Sequence, residues 1–215
     1  MINQIQDIFL FLTTGRVSEE SIGSNIKLLI NLYILKYGFY LLFALLNLFL
    51  FDLRIDGNIK GLNRQGFFKD LINFLILAPI IEEIICRFHL NLKLKNITLS
   101  LIATCIIFYD QIWFLLFLIS YFLILILISS LKKQSNNFIF VYISAFIFGV
   151  SHLAYKDLSY SYEDILSYIY IFTPRFLSGL IYSYLFFKKD IYFSIFLHFL
   201  WNLFPFIIYQ LANSP

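Results

Sequence analysis

Residues 113–131 form a run without a single charged side chain, and the run ends at the pair Lys132 and Lys133. A helix needs about 20 apolar residues to cross the roughly 30 Å hydrocarbon core of a bilayer, so this run predicts a transmembrane helix. The chain of 215 residues is 60% hydrophobic and only 13% charged, whereas soluble domains carry about 25% charged residues. The sequence therefore predicts an integral membrane protein.

Further apolar stretches indicate about seven membrane spans in total. They cover residues 26–51, 67–88, 97–108, 138–153, 165–187 and 191–211. The stretch 97–108 is short for a helix that crosses the membrane. Pro174 predicts a kink in the stretch 165–187. The predicted fold class is all-α, a polytopic transmembrane helical bundle.

The N-terminus carries a shorter pattern. Ile5, Ile8, Phe9 and Leu12 recur at helical spacing with polar residues between them, which predicts a short helix lying in the membrane interface. We therefore divide the chain into an interfacial helix and loop over residues 1–25 and a single transmembrane helical domain over residues 26–215.

The positive charges give a weak topology signal. Loops on the N-terminal side of the predicted spans carry more Lys and Arg than the opposite side, which predicts a cytoplasmic N-terminus. The net charge of +3 is small and dispersed, so we expect no nucleic-acid partner. Membrane lipid is the expected surrounding.

Two adjacent carboxylates, Glu82 and Glu83, lie inside an apolar stretch, where a charged side chain without a partner costs several kcal/mol. Arg87 follows Glu83 by four residues and shares its helical face, so these two side chains are predicted to form a supporting ion pair. Glu82 lies about 100° around the helix. It is left without that partner and is the first candidate for a functional residue.

Two of the three histidines, His152 and His198, also lie in apolar stretches, and Asn202 follows His198 by four residues. A carboxylate and an imidazole can hold and deprotonate a water molecule, while neutral donors stabilise an oxyanion, so this set suits hydrolysis of a carbonyl compound. Hydrogen bonds between helices are the alternative use of such residues. We expect His89, near the end of its span, to lie at the interface without a role.

The helical rise offers a check on depth. At about 1.5 Å per residue, Glu82 and His198 lie at similar depths, whereas His152 lies about 11 Å away from them along the membrane normal. A tilted span would be needed to bring His152 to the others. Lys36 and Arg175, two further charges inside apolar stretches, have no partner that the sequence identifies.

Three motifs now occur in order within hydrophobic spans. They are Glu-Glu-x-x-x-Arg at 82–87, Phe-x-x-x-His at 148–152 and His-x-x-x-Asn at 198–202. Together they resemble the CPBP family of intramembrane proteases, which includes the eukaryotic CaaX prenyl endopeptidases and bacterial bacteriocin-processing or immunity-type members. The resemblance covers the chain from Pro79 to the last span and leaves the N-terminal third unassigned.

The resemblance implies a glutamate-dependent intramembrane endopeptidase of a bacterial cell membrane, acting on a membrane-associated peptide or protein. Its roles are implied residue by residue: Glu82 and His152 activate water, His198 and Asn202 form the oxyanion site, and Glu83 and Arg87 brace the first motif. No cofactor is implied as essential. The alternative is a divalent ion such as zinc held by Glu82, His152 and His198.

The chain departs from the family pattern in two places. Phe88 follows the motif arginine where the family often has glycine. The separation between the first two motifs is also long, which predicts an inserted pair of spans within residues 97–131. An even number of inserted spans preserves the direction of the helix that carries His152.

Two other classes of function stay open at this point. An ion-coupled transporter would use Glu82, His152 and Arg175 to bind substrate or relay protons. A non-catalytic, immunity-type membrane protein would keep the family fold without its activity.

Overall fold

The computed structural model describes residues 2–18, 24–48, 66–131, 137–154 and 162–213. In chain order it contains α1 (Ile2–Thr14), α2 (Asn25–Leu46), α3 (Phe67–Leu71), a π-helix (Ile72–Leu77), α4 (Ala78–Cys86), a 3-10 helix (Phe88–Asn91), α5 (Leu94–Ile107), α6 (Ile112–Ser130), α7 (Asn137–Ser151), α8 (Tyr162–Lys188) and α9 (Ile191–Asn213). These residues contain no strand, so the predicted all-α class is confirmed over the described part of the chain.

Four of the described helices are long and apolar enough to cross a membrane: Asn25–Leu46, Ile112–Ser130, Ile165–Lys188 and Ile191–Leu211. α5 and α7 are apolar but shorter. A helix of 14 residues, the length of α5, extends only about 21 Å, which is less than the hydrocarbon core. The predicted count of about seven spans is therefore not confirmed.

The stretch predicted as one helix over residues 67–88, continuing towards residue 94, is interrupted. Its helical path runs through α3, the π-helix and α4 and ends at Cys86. Arg87 leaves the helical region with φ −122°, and Leu92 adopts a left-handed φ of 57°, so the chain turns into α5. Arg87 and His89 are buried at this turn, so the polar residues here do not mark an exposed loop in the way that would reveal the turn from the sequence.

His89 lies inside this turn and is completely buried, so the expectation that it lies at the interface is wrong. Its Nδ1 is 3.0 Å from the carbonyl oxygen of Ile85, and its Nε2 is 2.9 Å from the hydroxyl of Tyr121 in α6. The carbonyl only accepts, so Nδ1 carries the hydrogen and Nε2 accepts from the phenol. His89 thereby ties the turn to α6.

α5 and α6 form a hairpin that packs beside α4 and the 3-10 helix. Ser100 Oγ donates to the carbonyl oxygen of Ile84 over 2.6 Å, and Ser129 Oγ donates to that of Leu92 over 2.9 Å. This hairpin occupies the predicted insertion between the first two motifs. α7 consequently still packs against α4.

α1 directs its polar side into the bundle. Gln4, Asp7 and Phe11 are buried, whereas Ile5 and Phe9 are exposed. A helix on a soluble domain shows the opposite pattern, while exposed apolar side chains suit a lipid surrounding. The placement of α1 in the membrane interface stays a prediction.

Asp7 anchors α1 to the far end of α8. Its carboxylate lies 2.9 Å from Nζ of Lys188 and accepts hydrogen bonds from the Tyr184 hydroxyl and the backbone N–H of Ser18, each over 2.7 Å. Burial alone would raise the pKa of Asp7, but the bonds from Lys188, Tyr184 and Ser18 outweigh it and hold the pKa below its usual range. The contact is therefore an ion pair at neutral pH.

The remaining helices form the frame around the polar motifs. α4, α7, α8 and α9 pack against one another, and α2 covers α8 and α9. α8 is continuous across Pro174, and Arg175 within it donates to the carbonyl oxygen of Ile171 over 2.8 Å. Gly179 of the same helix lies directly against Ala145 of α7, so these two helices approach closely beside the motifs.

Candidate active site

Glu83 is the centre of the polar cluster. Its side chain is fully buried, and Nη1 of Arg87 lies 3.3 Å from its Oε1, as the four-residue spacing predicts. Nδ1 of His198 lies 3.0 Å from the same oxygen, and Ser194 Oγ donates to Oε2 over 2.6 Å. Both oxygens of this carboxylate are therefore engaged, and they join α4 to α9.

His198 lies between the two adjacent carboxylates. Its Nδ1 contacts Glu83, and its Nε2 lies 3.5 Å from Oε2 of Glu82. The Glu82 side chain is 31% exposed, whereas that of Glu83 is 0% exposed. Oε2 of Glu82 is itself buried and accepts no hydrogen bond within the described part of the chain, so the exposed fraction belongs to the rest of this side chain. Glu82 is thus the reachable carboxylate of the pair.

The ring of Phe148 connects the second motif to the other two. The guanidinium carbon of Arg87 lies 4.2 Å from its centroid, and the rings of His152 and His198 meet it at centroid distances of 5.1 Å and 5.7 Å. A cation over an aromatic face is attractive. Phe148 therefore contacts a charged or titratable side chain from each motif.

His152 is held by its own helix. Its Nδ1 lies 2.9 Å from the carbonyl oxygen of Phe148, which can only accept, so Nδ1 carries the hydrogen and Nε2 keeps its lone pair. The imidazole contacts the ring of Phe148, and the same ring also contacts His198 and Arg87. The structure thus brings the three predicted motifs together despite the depth mismatch calculated for His152.

Asn202 has a partner that the sequence does not indicate. Its Nδ2 donates to the carbonyl oxygen of Phe74 in the π-helix over 3.1 Å. That oxygen would pair with the N–H of residue 78 in an α-helix or of residue 79 in a π-helix. Ala78 donates instead to Asn73, and Pro79 has no N–H. Asn202 therefore replaces the donor that Pro79 lacks.

This pairing leads to a double-mutant prediction. We expect Asn202→Ala to lower the free energy of unfolding by about 1–3 kcal/mol, because it leaves the Phe74 carbonyl without a donor away from water. In a Pro79→Ala background the backbone N–H returns, so the same change should cost clearly less. The measurement is unfolding of the four proteins in detergent micelles, and an equal cost in both backgrounds would contradict the pairing.

Residues 64–204 match the family described as Type II CAAX prenyl endopeptidase Rce1-like. The chain belongs to this family. The resemblance drawn from the three motifs is thereby confirmed, and the chain is an integral membrane protein of a CAAX-type protease family. No curated protein and no solved structure matches the chain significantly.

The family match takes in every motif residue of this CAAX-type protease, from Glu82 to Asn202, together with the α5–α6 hairpin. α1 and α2 lie outside it. The match therefore covers the helices that carry the polar cluster, while α2, which also packs against α8 and α9, lies outside the matched region.

The alternative metal site in this endopeptidase chain is not assembled. Among the described residues, no three His, Cys, Asp or Glu side chains come together in a way that could hold a metal ion. Of the proposed ligands, His152 uses Nδ1 on a backbone carbonyl and His198 uses Nδ1 on Glu83. Such bonds are usual for metal-binding histidines, which coordinate through the other nitrogen, so a divalent ion at Glu82, His152 and His198 stays an alternative.

Sequence reasoning missed three residues at the site of this protease-family member. Ser194 precedes His198 by four residues on the same helical face, a spacing that could have revealed it. Tyr182 stacks on the His198 ring with centroids 4.7 Å apart, and nothing in the sequence distinguishes it from the other aromatic residues. The sequence identifies Lys36 as a charge inside an apolar stretch but does not identify its partner, the Tyr182 hydroxyl, which lies on α8.

Proposed function

We propose that this chain is an intramembrane endopeptidase that hydrolyses a peptide bond of a membrane-associated protein or peptide, with Glu82 as the general base. The observation that carries the proposal is the contrast between neighbouring carboxylates. Glu83 is buried, paired with Arg87 and bonded to His198 and Ser194, whereas the side chain of Glu82 is partly exposed and its buried Oε2 accepts no hydrogen bond from a described residue. A general base needs a free lone pair and access to water.

The geometry suggests how water is activated. A water molecule beside Glu82 gives its proton to the carboxylate while its oxygen attacks the scissile carbonyl carbon. His152 supports this step, because its Nδ1 is engaged by Phe148 and its Nε2 lone pair is available to the same water. Glu82 then passes the proton to the departing amine, which completes the hydrolysis.

The oxyanion that forms on the carbonyl needs donors. Asn202 has two amide hydrogens, of which the Phe74 carbonyl takes one, and the second, which no described residue accepts, would bond the oxyanion. His198 directs Nδ1 to Glu83 and Nε2 towards Glu82, so Nε2 is the ring nitrogen that faces the oxyanion beside the activated water. Glu83 and Arg87 hold this imidazole in place.

The test is a comparison of protein termini in the membrane fraction of cells that carry wild type, Glu82→Gln, Asp110→Asn or no copy of the chain. Asp110 is an exposed carboxylate in the turn between α5 and α6, so its amide variant is the matched control. We expect new termini with wild type and Asp110→Asn, and a loss of about 100- to 10,000-fold in their rate of formation with Glu82→Gln.

Equal abundance and thermal unfolding of the variants in detergent must accompany this comparison. If cells with and without the chain have the same termini, the proposal fails in favour of a non-catalytic, immunity-type protein. If Glu82→Gln still generates the termini, Glu82 is not the base.

Chelation of divalent ions in purified membranes, followed by zinc addition, separates a metal-dependent reaction from one performed by the side chains alone.

A further inference from the structure

Lys36 is a buried basic side chain on the helix that lies outside the family match. On α2 it continues the buried row of Leu28 and Leu32 at four-residue spacing and is only 3% exposed. None of the ion pairs between described residues includes it. A methionine would fill the same space without the several kcal/mol that a buried charge costs, so the ammonium group itself calls for an explanation.

Two aromatic residues of the matched region surround this ammonium group. Its Nζ donates a hydrogen bond to the hydroxyl of Tyr182 in α8, and it lies 4.1 Å from the ring centroid of Trp201 in α9. The Tyr182 side chain is completely buried. Lys36 therefore fixes the position of the Tyr182 ring from the side of α2.

The other side of Tyr182 faces the proposed active site. Its ring stacks on the imidazole of His198 with centroids 4.7 Å apart and planes inclined by 21°, and its backbone carbonyl accepts from Ser194 Oγ over 3.2 Å. The opposite constraint on the imidazole is the Glu83 bond at Nδ1. Stacking and hydrogen bond together determine the direction in which Nε2 points.

We propose that Lys36 is a positioning residue, which holds the Tyr182 ring against His198 and thereby keeps Nε2 of His198 directed at Glu82. This inference rests on the proposed function, because His198 matters to the reaction only if the chain is a protease. It assigns to α2 a part in the site that neither the motifs nor the family match includes. Displacement of a catalytic group by about 1 Å can cost roughly 100-fold in rate.

The experiment uses the full chain in detergent micelles with three single variants and one double. Lys36→Met keeps the length of the side chain and removes its charge and its hydrogen-bond donor. Tyr182→Phe keeps the ring and removes the hydrogen-bond acceptor. Leu32→Met is the control from the same buried row of α2. The substrate is a peptide that spans the cleavage site identified by the comparison of termini. The readouts are kcat, KM, thermal unfolding and the 15N spectrum of the His198 ring, assigned by its loss in His198→Gln.

We expect Lys36→Met to lower kcat by about 10- to 100-fold at nearly unchanged KM, with a melting temperature close to that of Leu32→Met. Tyr182→Phe should reproduce this loss of kcat. The double variant Lys36→Met/Tyr182→Phe should be no slower than either single variant. The His198 ring signals should shift in both single variants and in the double variant. Leu32→Met should resemble wild type in kcat and in the ring signals.

Four results would overturn the proposal. A rise in KM at constant kcat would make Lys36 a substrate contact, and an equal loss in Leu32→Met would make it ordinary packing. Multiplicative losses in the double variant would show that Lys36 does not act through Tyr182. The ring spectrum needs no substrate, so unchanged His198 signals in Lys36→Met refute the positioning role even if the chain proves not to be a protease.

Discussion

Replacement of Glu83 by alanine is expected to lower the free energy of unfolding by about 3–5 kcal/mol, because it leaves the Arg87 guanidinium buried without its counter-charge. Both side chains are fully buried. Nε and both Nη atoms of Arg87 form no hydrogen bond within the described part of the chain, so the ion pair with Glu83 and the face of Phe148 are what stabilise the cation. Unfolding in mixed detergent micelles measures the loss.

A double variant separates stability from activity at this pair. Replacing a buried ion pair with apolar side chains of similar volume is often neutral or stabilising, so Glu83→Met/Arg87→Met should recover most of the stability that Glu83→Ala loses. The double variant should nevertheless stay inactive, because Nδ1 of His198 has lost its acceptor. An active double variant would show that Glu83 only stabilises the fold, and a Glu83→Ala protein as stable as wild type would contradict the buried pair altogether.

Gly179→Ala is expected to destabilise the protein by about 1–3 kcal/mol, the usual cost of overpacking a filled interior. A Cβ at this position would lie 2.9 Å from Cα of Ala145 and 3.1 Å from Nη2 of Arg87. The first of these atoms belongs to the backbone of α7, so the helices themselves must separate. Because α7 carries Phe148 and α8 carries Tyr182, activity should fall together with stability.

Gly38→Ala is the matched control. This glycine also lies in the interior of a helix, α2, but a Cβ there would have no heavy atom within 4 Å. The substitution should therefore be neutral or stabilise the protein by up to about 1 kcal/mol through helix propensity alone. If both alanine variants unfold at the temperature of wild type, α7 and α8 do not pack as closely as the structure has them.

The helices and the motif pairs within single helices could be predicted from the sequence. An apolar run such as residues 113–131 leaves no alternative to a helix in a bilayer, because every backbone group must be paired within the segment. The spacing of Glu83 and Arg87 depends only on the helical repeat. For the same reason the sequence could have revealed Ser194, one turn before His198.

The tertiary structure alone decided which helical faces meet. Contacts between residues far apart in the chain turn Asp7 of α1 inwards and bury His89 against Tyr121. A contact of the same kind joins Lys36 to Tyr182. The polar side of α1 faces the bundle, and α2 around Lys36 is apolar on most of its faces, so the sequence pattern does not show which side of these helices is buried. The pairing of Asn202 with Phe74 is harder still to predict. It depends on the missing N–H of Pro79 and also on the position of α9 beside the π-helix. In a chain this hydrophobic, local pattern determines the helices, and the few polar contacts between distant helices determine the site.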